Sequence, residues 1–178
     1  MPTVEKLSPA QEALLTYWLR HSDGQSHPLP TTGDIELDEV GHHKDWAVIF
    51  EKMCNPLDYK YRLIGRNISF FIHHDYTGVR LSAMPGKGKD SKIWAFLTAT
   101  VNAQKPLLEV LPYVGPEPDY SHTTLLSLPL TQQDSGAEMI LLGVDFVKWP
   151  FIGANNSFDS KIASLKKFLV HQIKQHPI

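Results

Sequence analysis

Apolar residues near the amino terminus recur at helical spacing. Ser8 and Gln11 have the spacing of a capping box, and Pro9 stands at the first helical position. Gly24 follows the last apolar position and is typical of a helix end. We therefore predict an amphipathic helix over residues 10–21, with one apolar face that another surface must cover.

Five later segments have the pattern of β-strands. Each is rich in β-branched and aromatic residues and is bounded by turn-forming residues. The predicted strands cover residues 46–51, 59–65, 107–114, 123–130 and 138–147. The last strand carries apolar side chains on both faces, which predicts a central position in the sheet. Pro129 cannot donate a ladder hydrogen bond, so we expect a bulge or an edge-facing position there.

Helical patterns separate and follow these strands. We predict a short helical segment within residues 66–75 and a longer helix, capped by Ser91 or Asp90, that ends before Pro106. A carboxy-terminal helix is predicted to follow Ser157. The chain divides into residues 1–45 (first helix and connecting segment), 46–150 (core) and 151–178 (last helix). This order predicts an α+β domain with one sheet and segregated helices.

The charge and composition narrow the classes of function. The 178 residues include 17 basic and 19 acidic side chains, and the formal net charge of −2 gives no general attraction for DNA or RNA. The amino terminus lacks the apolar run of a signal peptide, and no apolar stretch is long enough to span a membrane. The single cysteine, Cys54, suits a reducing compartment and is expected to be buried. We expect a cytoplasmic protein without a nucleic-acid partner or a stable membrane insertion.

Several short motifs follow one another in a distinctive order. They are LTYW at residues 15–18, YRLIG at 61–65, DYTG at 75–78, LSLPL at 126–130 and ILLG at 140–143. In this order and spacing the chain resembles a short PAS-like family that is widespread in alphaproteobacteria. The likeness covers approximately residues 12–147.

The resemblance implies a fold and a class of function. The implied fold is a five-stranded antiparallel sheet in the order 2-1-5-4-3, with helices on one face and flanking amino- and carboxy-terminal helices. The implied function is sensory or regulatory, with signalling through contact with another protein and dimerisation through the first helix. The candidate dimer interface consists of Leu14, Tyr17 and Trp18. The chain departs from the family where His73 and His74 precede Asp75, since a glycine commonly stands before that aspartate.

In many PAS domains a cavity between the helices and the sheet holds a small ligand, and the resemblance implies where its lining lies here. The candidate lining residues are Tyr61, Phe70, Phe71, His73, Trp94, Val110, His122, Leu126, Leu128, Leu142 and Val144. Tyr61, His73 and His122 are its candidate polar anchors. The alternative is that these side chains simply pack the core. The sequence names no cofactor, and Cys54 does not lie in the helix motif of photoactive flavin-binding PAS domains.

Metal and phosphate sites have little support in the sequence. The pairs His42–His43 and His73–His74 lack the i, i+4 spacing with which one helix face binds a metal, so we assign no metal site. The glycine- and lysine-rich residues 86–91 lack the spacing of a phosphate-binding loop. We interpret them as a solvated basic loop.

Catalytic residues are not assigned either. Asp119 and His122 lie near a serine in a turn-like stretch that has no nucleophile elbow. We therefore expect a stand-alone PAS-like sensory or regulatory domain that binds a small ligand, a protein partner or both, without catalysis. One rival is a small α+β enzyme that uses Tyr61, His73 and His122, and another is a purely structural interaction module.

The last predicted helix has lysines beside its apolar stripe. They are Lys161, Lys166, Lys167 and Lys174. We interpret them as a solvated face with cations near a helix end. The alternative is contact with a membrane surface or a partner.

Overall fold

Five antiparallel strands form one sheet in the order β2-β1-β5-β4-β3. The computed structural model describes residues 7–22, 29–132, 138–148, 166, 167, 169–171 and 174. The strands are β1 (Ala47–Met53), β2 (Asp58–Ile64), β3 (Leu107–Pro112), β4 (Tyr120–Thr131) and β5 (Glu138–Lys148). All four neighbouring pairs are antiparallel. The predicted fold class and strand order are therefore confirmed.

Three α-helices are described over their full length. They are α1 (Pro9–Ser22), α2 (Arg66–Ile72) and α3 (Lys92–Ala103), and 3₁₀ segments cover Leu37–Trp46 and Leu81–Ala83. Ser91 caps α3, since its hydroxyl accepts a hydrogen bond from the Trp94 N–H. Residues 166, 167, 169–171 and 174 are helical and are called the C-terminal segment below. The predicted helix stop at Gly24 and helix start after Ser157 lie outside the described residues.

The sheet has an apolar cover on each face. Side chains of α2 and α3 pack with Ile140, Leu142 and Val144 on what we call the helix face. Side chains of α1 and Leu169 of the C-terminal segment pack with Leu141 on the opposite, α1 face. Successive residues of a strand point to opposite faces, so β5 supplies both clusters. The prediction that this strand is central is confirmed.

Gln11 connects α1 to the sheet. Its backbone N–H donates to the Ser8 hydroxyl, and its side-chain oxygen accepts from the Ser8 N–H, which completes the predicted capping box. The Gln11 amide Nε2 lies 3.2 Å from the Thr124 carbonyl oxygen and 3.1 Å from the Gly143 carbonyl oxygen. The buried Gln11 side chain therefore caps the start of α1 and also attaches this helix to β4 and β5.

Trp18 provides a second attachment of α1, and its partner is the carbonyl of Pro129 in β4. The pairing of β3 with β4 ends at Ser127, so the later residues of β4 have no β3 partner. In this part of β4 the Thr131 N–H points away from β5, since it donates to the Pro30 carbonyl. Pro129 lies two residues before Thr131, so its backbone faces the same side, where no strand pairs with it. The N–H that proline lacks therefore removes no hydrogen bond between strands. Its carbonyl accepts a 2.8 Å hydrogen bond from the Trp18 indole N–H. The expected edge-facing position is confirmed, and the β4 irregularity lies instead between Tyr120 and His122.

The apolar face of α1 is covered within the chain. Leu14 and Trp18 are 0% exposed and Tyr17 is 3% exposed. The Tyr17 hydroxyl also accepts a 2.9 Å hydrogen bond from the Glu36 N–H. The prediction that these three side chains form a dimer interface is wrong for this fold, because the sheet and the Leu37–Trp46 segment occupy the surface a second subunit would need.

Two motif glycines allow close approaches of the chain. A Cβ atom on Gly65 would lie 2.3 Å from the Asp45 carbonyl oxygen, and one on Gly143 would lie 3.2 Å from both Gln11 Cγ and Leu14 Cδ1. Gly65 lets the end of β2 pass against the segment before β1, and Gly143 lets α1 lie directly on the sheet.

The lone cysteine is exposed, contrary to expectation. Cys54 lies in the turn between β1 and β2, where the surrounding residues 54–57 are all exposed. Free cysteines are usually buried because most of them lie in protein cores, whereas Cys54 lies at the tip of a hairpin.

Among the described helices, none combines the length and the apolar character that a bilayer crossing requires.

We predict that Gly65→Ala lowers the free energy of unfolding by about 1–3 kcal/mol or more, because the new methyl group meets rigid backbone. Gly88→Ala is the matched control, because no atom lies within 4 Å of the position its Cβ would take. Urea denaturation of both variants measures the difference. Equal free energies of unfolding for the two variants would contradict the close approach.

We predict that Gln11→Leu lowers the free energy of unfolding by about 1–3 kcal/mol, because it leaves the Thr124 and Gly143 carbonyls without their amide donor. Thr16→Leu, at an exposed position of the same helix, is the control. Chemical denaturation should separate the two variants. A loss of similar size in both variants would show that the effect does not come from the loss of this attachment.

Candidate functional site

The residues predicted to line one cavity lie on both faces of the sheet. Leu126 and Leu128 belong to the cluster under α1, whereas Trp94, Leu142 and Val144 belong to the cluster under α2 and α3. In the pairing of β4 with β5, Leu128 stands opposite Leu141 rather than Leu142. Directly paired residues share a face, so Leu126 and Leu128 point away from the predicted cavity. Their assignment to it is wrong.

The helix-face residues of the prediction form a packed cluster. Trp94 is 5% exposed and meets the Tyr59 ring edge-on, with ring centroids 5.3 Å apart. The Tyr59 hydroxyl is 2.9 Å from the Thr98 hydroxyl. On the same face the Thr100 and Ser127 hydroxyls are 2.7 Å apart and join α3 to β4. These contacts agree with the alternative that Trp94 packs the core.

Phe71 belongs to an aromatic cluster at one end of the sheet. Its ring stacks on Phe146 at 4.2 Å, and Tyr120 and Tyr113 approach these rings edge-on. The Tyr113 hydroxyl donates a 2.6 Å hydrogen bond to the Phe71 carbonyl. The neighbouring Phe70 points outward and is 65% exposed. Phe70 therefore does not line an interior cavity, and its predicted role is wrong.

His73 is a surface residue that pairs with a carboxylate. It ends α2 in a left-handed conformation, and its Nε2 lies 2.8 Å from Glu117 Oε1. More than half of its side chain is exposed. The structure therefore places His73 outside any buried site.

The motif at residues 75–78 forms a turn that returns the chain to β2. The Asp75 carboxylate accepts hydrogen bonds from the Thr77 N–H and hydroxyl, and these bonds lower the pKa of Asp75. Gly78 has φ 85°, a conformation that favours glycine, and its N–H donates to the Tyr61 carbonyl. This motif therefore has a structural role.

Tyr61 and His122 are far apart. Tyr61 lies on β2 and His122 on β4, with β1 and β5 between them. Three strand spacings amount to roughly 14 Å. Tyr61 packs at 4.3 Å from the Phe50 ring, and burial raises the pKa of its hydroxyl to about 12, so the phenol stays protonated at neutral pH. A catalytic constellation of Tyr61, His73 and His122 is therefore not assembled.

Histidines do not gather with other ligands in the described part of the chain. The rings of His42 and His43 lie 4.1 Å apart, and His122 Nδ1 lies 3.0 Å from the Ser121 hydroxyl. No group of three His, Cys, Asp or Glu side chains there has the arrangement of a metal site.

A groove of about 840 Å³ opens where α3, the edge strand β3 and the C-terminal segment meet. We call it the β3 groove. Its lining residues are Lys92, Ala95, Phe96, Ala99, residues 105–111, Lys166, Leu169, Val170 and Lys174. Of the residues predicted to line a cavity, only Val110 belongs to it. Sequence analysis missed the groove, although exposed Ala95 and Ala99 one helical turn apart and the lysines of the last helix were visible signals.

The charges around the β3 groove are unbalanced. Four of its described lining residues are lysines, and one, Glu109, is acidic. Glu109 is already engaged, since one carboxylate oxygen accepts from the Val110 N–H at 3.0 Å and the other lies 4.0 Å from Lys166 Nζ. The groove combines an apolar lining with a cationic rim.

Asp145 is a half-buried carboxylate on β5, opposite Thr124 on the α1 face. Burial raises the pKa of Asp145 above its ordinary value of 3.8, and a hydrogen bond from the Phe146 N–H partly offsets this. Because the pKa of Asp145 is higher in the folded state than in the unfolded state, ionisation of this carboxyl lowers the free energy of unfolding. The loss is complete once the pH exceeds the folded-state pKa. The cost disappears below about pH 3.8, where the carboxyl is protonated in both states.

We predict that Asp145→Asn raises the melting temperature at pH 7 and that this advantage shrinks as the pH falls toward 3.8. Asparagine keeps the shape of the side chain and can still accept the Phe146 hydrogen bond. Thermal denaturation across this pH range tests the prediction, with Asp119→Asn at an exposed position as the control. A gain that is independent of pH would rule out the burial of charge as its cause.

Comparison with known proteins assigns no family. No protein-family model matches the chain, and no curated protein matches it. The PAS-like resemblance remains a prediction from the motifs at residues 61–65, 75–78, 126–130 and 140–143. The observed sheet order agrees with the fold that this resemblance implies.

Proposed function

We propose that the chain is a PAS-like sensory or regulatory domain of the cytoplasm that binds a small ligand, a protein partner or both, without catalysis. The observation that carries this proposal is the antiparallel sheet in the order 2-1-5-4-3 with α2 and α3 on one face. A fold alone does not determine function, so the proposal also depends on surfaces that could bind something.

The β3 groove supports ligand binding. Its volume of about 840 Å³ lies within the range of about 300–1,000 Å³ that is usual for small-molecule sites. Its lining is mostly apolar with a few polar groups, which is the usual character of such sites. The enzymatic alternative has less support, since Tyr61 and His122 lie on strands separated by two others.

Exposed apolar side chains favour a second candidate, an interaction module without a ligand. Phe70 is 65% exposed and Val114 is 83% exposed, and both neighbour members of the aromatic cluster in sequence. Large apolar side chains at a surface often mark a protein contact. A dimer would use a surface other than Leu14, Tyr17 and Trp18, since these side chains are buried within the chain.

We predict that native mass spectrometry of the full chain, purified from cells that express it, reveals extra mass that disappears when the same sample is denatured. The denatured mass is the internal control. A bare oligomer or a complex with another protein would favour the interaction module instead. A bare monomer in every preparation would contradict both candidates.

A further inference from the structure

We propose that the β3 groove binds the anion of a fatty acid, with the alkyl chain along the apolar lining and the carboxylate at the lysine rim. This inference rests on the proposed ligand-binding function and names the class of ligand and its site. The site lies at the outer edge of the sheet rather than between the helices and the sheet.

The walls of the groove suit a flexible aliphatic chain. Ala95 and Ala99 lie on the exposed side of α3 and leave space above the buried Phe96. Leu169 is buried, and Val170 is 51% exposed on the opposite wall. Each methylene that leaves water on such a surface raises the affinity by up to about fourfold. Phe96 is the one aromatic side chain among the described lining residues, so the groove offers little stacking surface to a nucleobase.

The rim selects for negative charge. Lys92 is the first residue of α3, Lys105 lies between α3 and β3, and Lys166 and Lys174 come from the C-terminal segment. Glu109 already contacts the Val110 N–H and Lys166, so it leaves a cationic excess. Lysine ammonium groups are flexible point charges that suit a carboxylate without demanding a fixed geometry.

The edge of β3 is protected against an added strand, which argues against a peptide in extended conformation. The Val110 N–H points away from β4 and donates to Glu109. By strand alternation Pro112 faces the same side, and it has no N–H to donate. A strand that pairs with an edge needs these donors, and proline and charged side chains are common ways to block such pairing.

The test is a calorimetric titration of the full chain with dodecanoate below its micelle concentration. We expect saturable binding that is stronger than that of octanoate, and no binding of dodecyltrimethylammonium, which carries the opposite charge. The double variant Lys92→Gln/Lys105→Gln should bind dodecanoate about three- to tenfold more weakly. The control Lys60→Gln/Lys87→Gln removes the same charge outside the groove and should bind as the unchanged protein does.

A second variant tests the apolar wall. Ala99→Trp fills the groove from the exposed side of α3, and we expect it to abolish dodecanoate binding while circular dichroism shows an intact fold. The inference is overturned if dodecanoate does not bind, if both lysine pairs weaken binding equally, or if the chain binds anionic vesicles but not the free fatty acid. A bound natural ligand of another class, together with no dodecanoate binding, would overturn this inference and leave the proposed function standing.

Discussion

The pairing of β5 with both β1 and β4 places this strand in the middle of the sheet, where each of its faces must be covered by apolar side chains. Leu142 and Val144 meet the cluster under α2 and α3, and Leu141 meets the cluster under α1. Gly143 lets α1 approach closely, and Gln11 satisfies the carbonyl that this glycine presents. The position of α1 follows from the need to cover this strand.

The packing of the two sheet faces determines which surfaces can bind other molecules. Because α1 covers one face and α2 and α3 cover the other, both broad faces of the sheet are buried in the hydrophobic core. Among the residues that the structure describes, the edge at β3 and the aromatic end near Phe71 are accessible to other molecules. The edge carries a groove with lysines, and the end carries the exposed Phe70. Both proposed modes of binding therefore use the margins of the sheet.

The elements were largely predictable, because the local signals were strong. Ser8, Pro9 and Gln11 indicated the start of α1, and the structure forms the predicted capping box. The site was much less predictable. A one-residue difference in pairing moves a side chain to the other face, and the sequence does not give the register that separates Leu128 from Leu142. Exposed phenylalanines and phenylalanines packed in a cluster also look alike in sequence, as Phe70 and Phe71 demonstrate.

The sequence by itself determined the helices and strands, the central position of β5 and the need to cover the apolar face of α1, because capping and periodicity are local properties. The strand order came from the resemblance of the motifs to a known family. Only the tertiary structure decided that the chain's own sheet covers Trp18, and that residues as distant as Lys92 and Lys174 line one groove. These outcomes depend on which surfaces meet across long sequence separations, and periodicity contains no information about the partner of an apolar face.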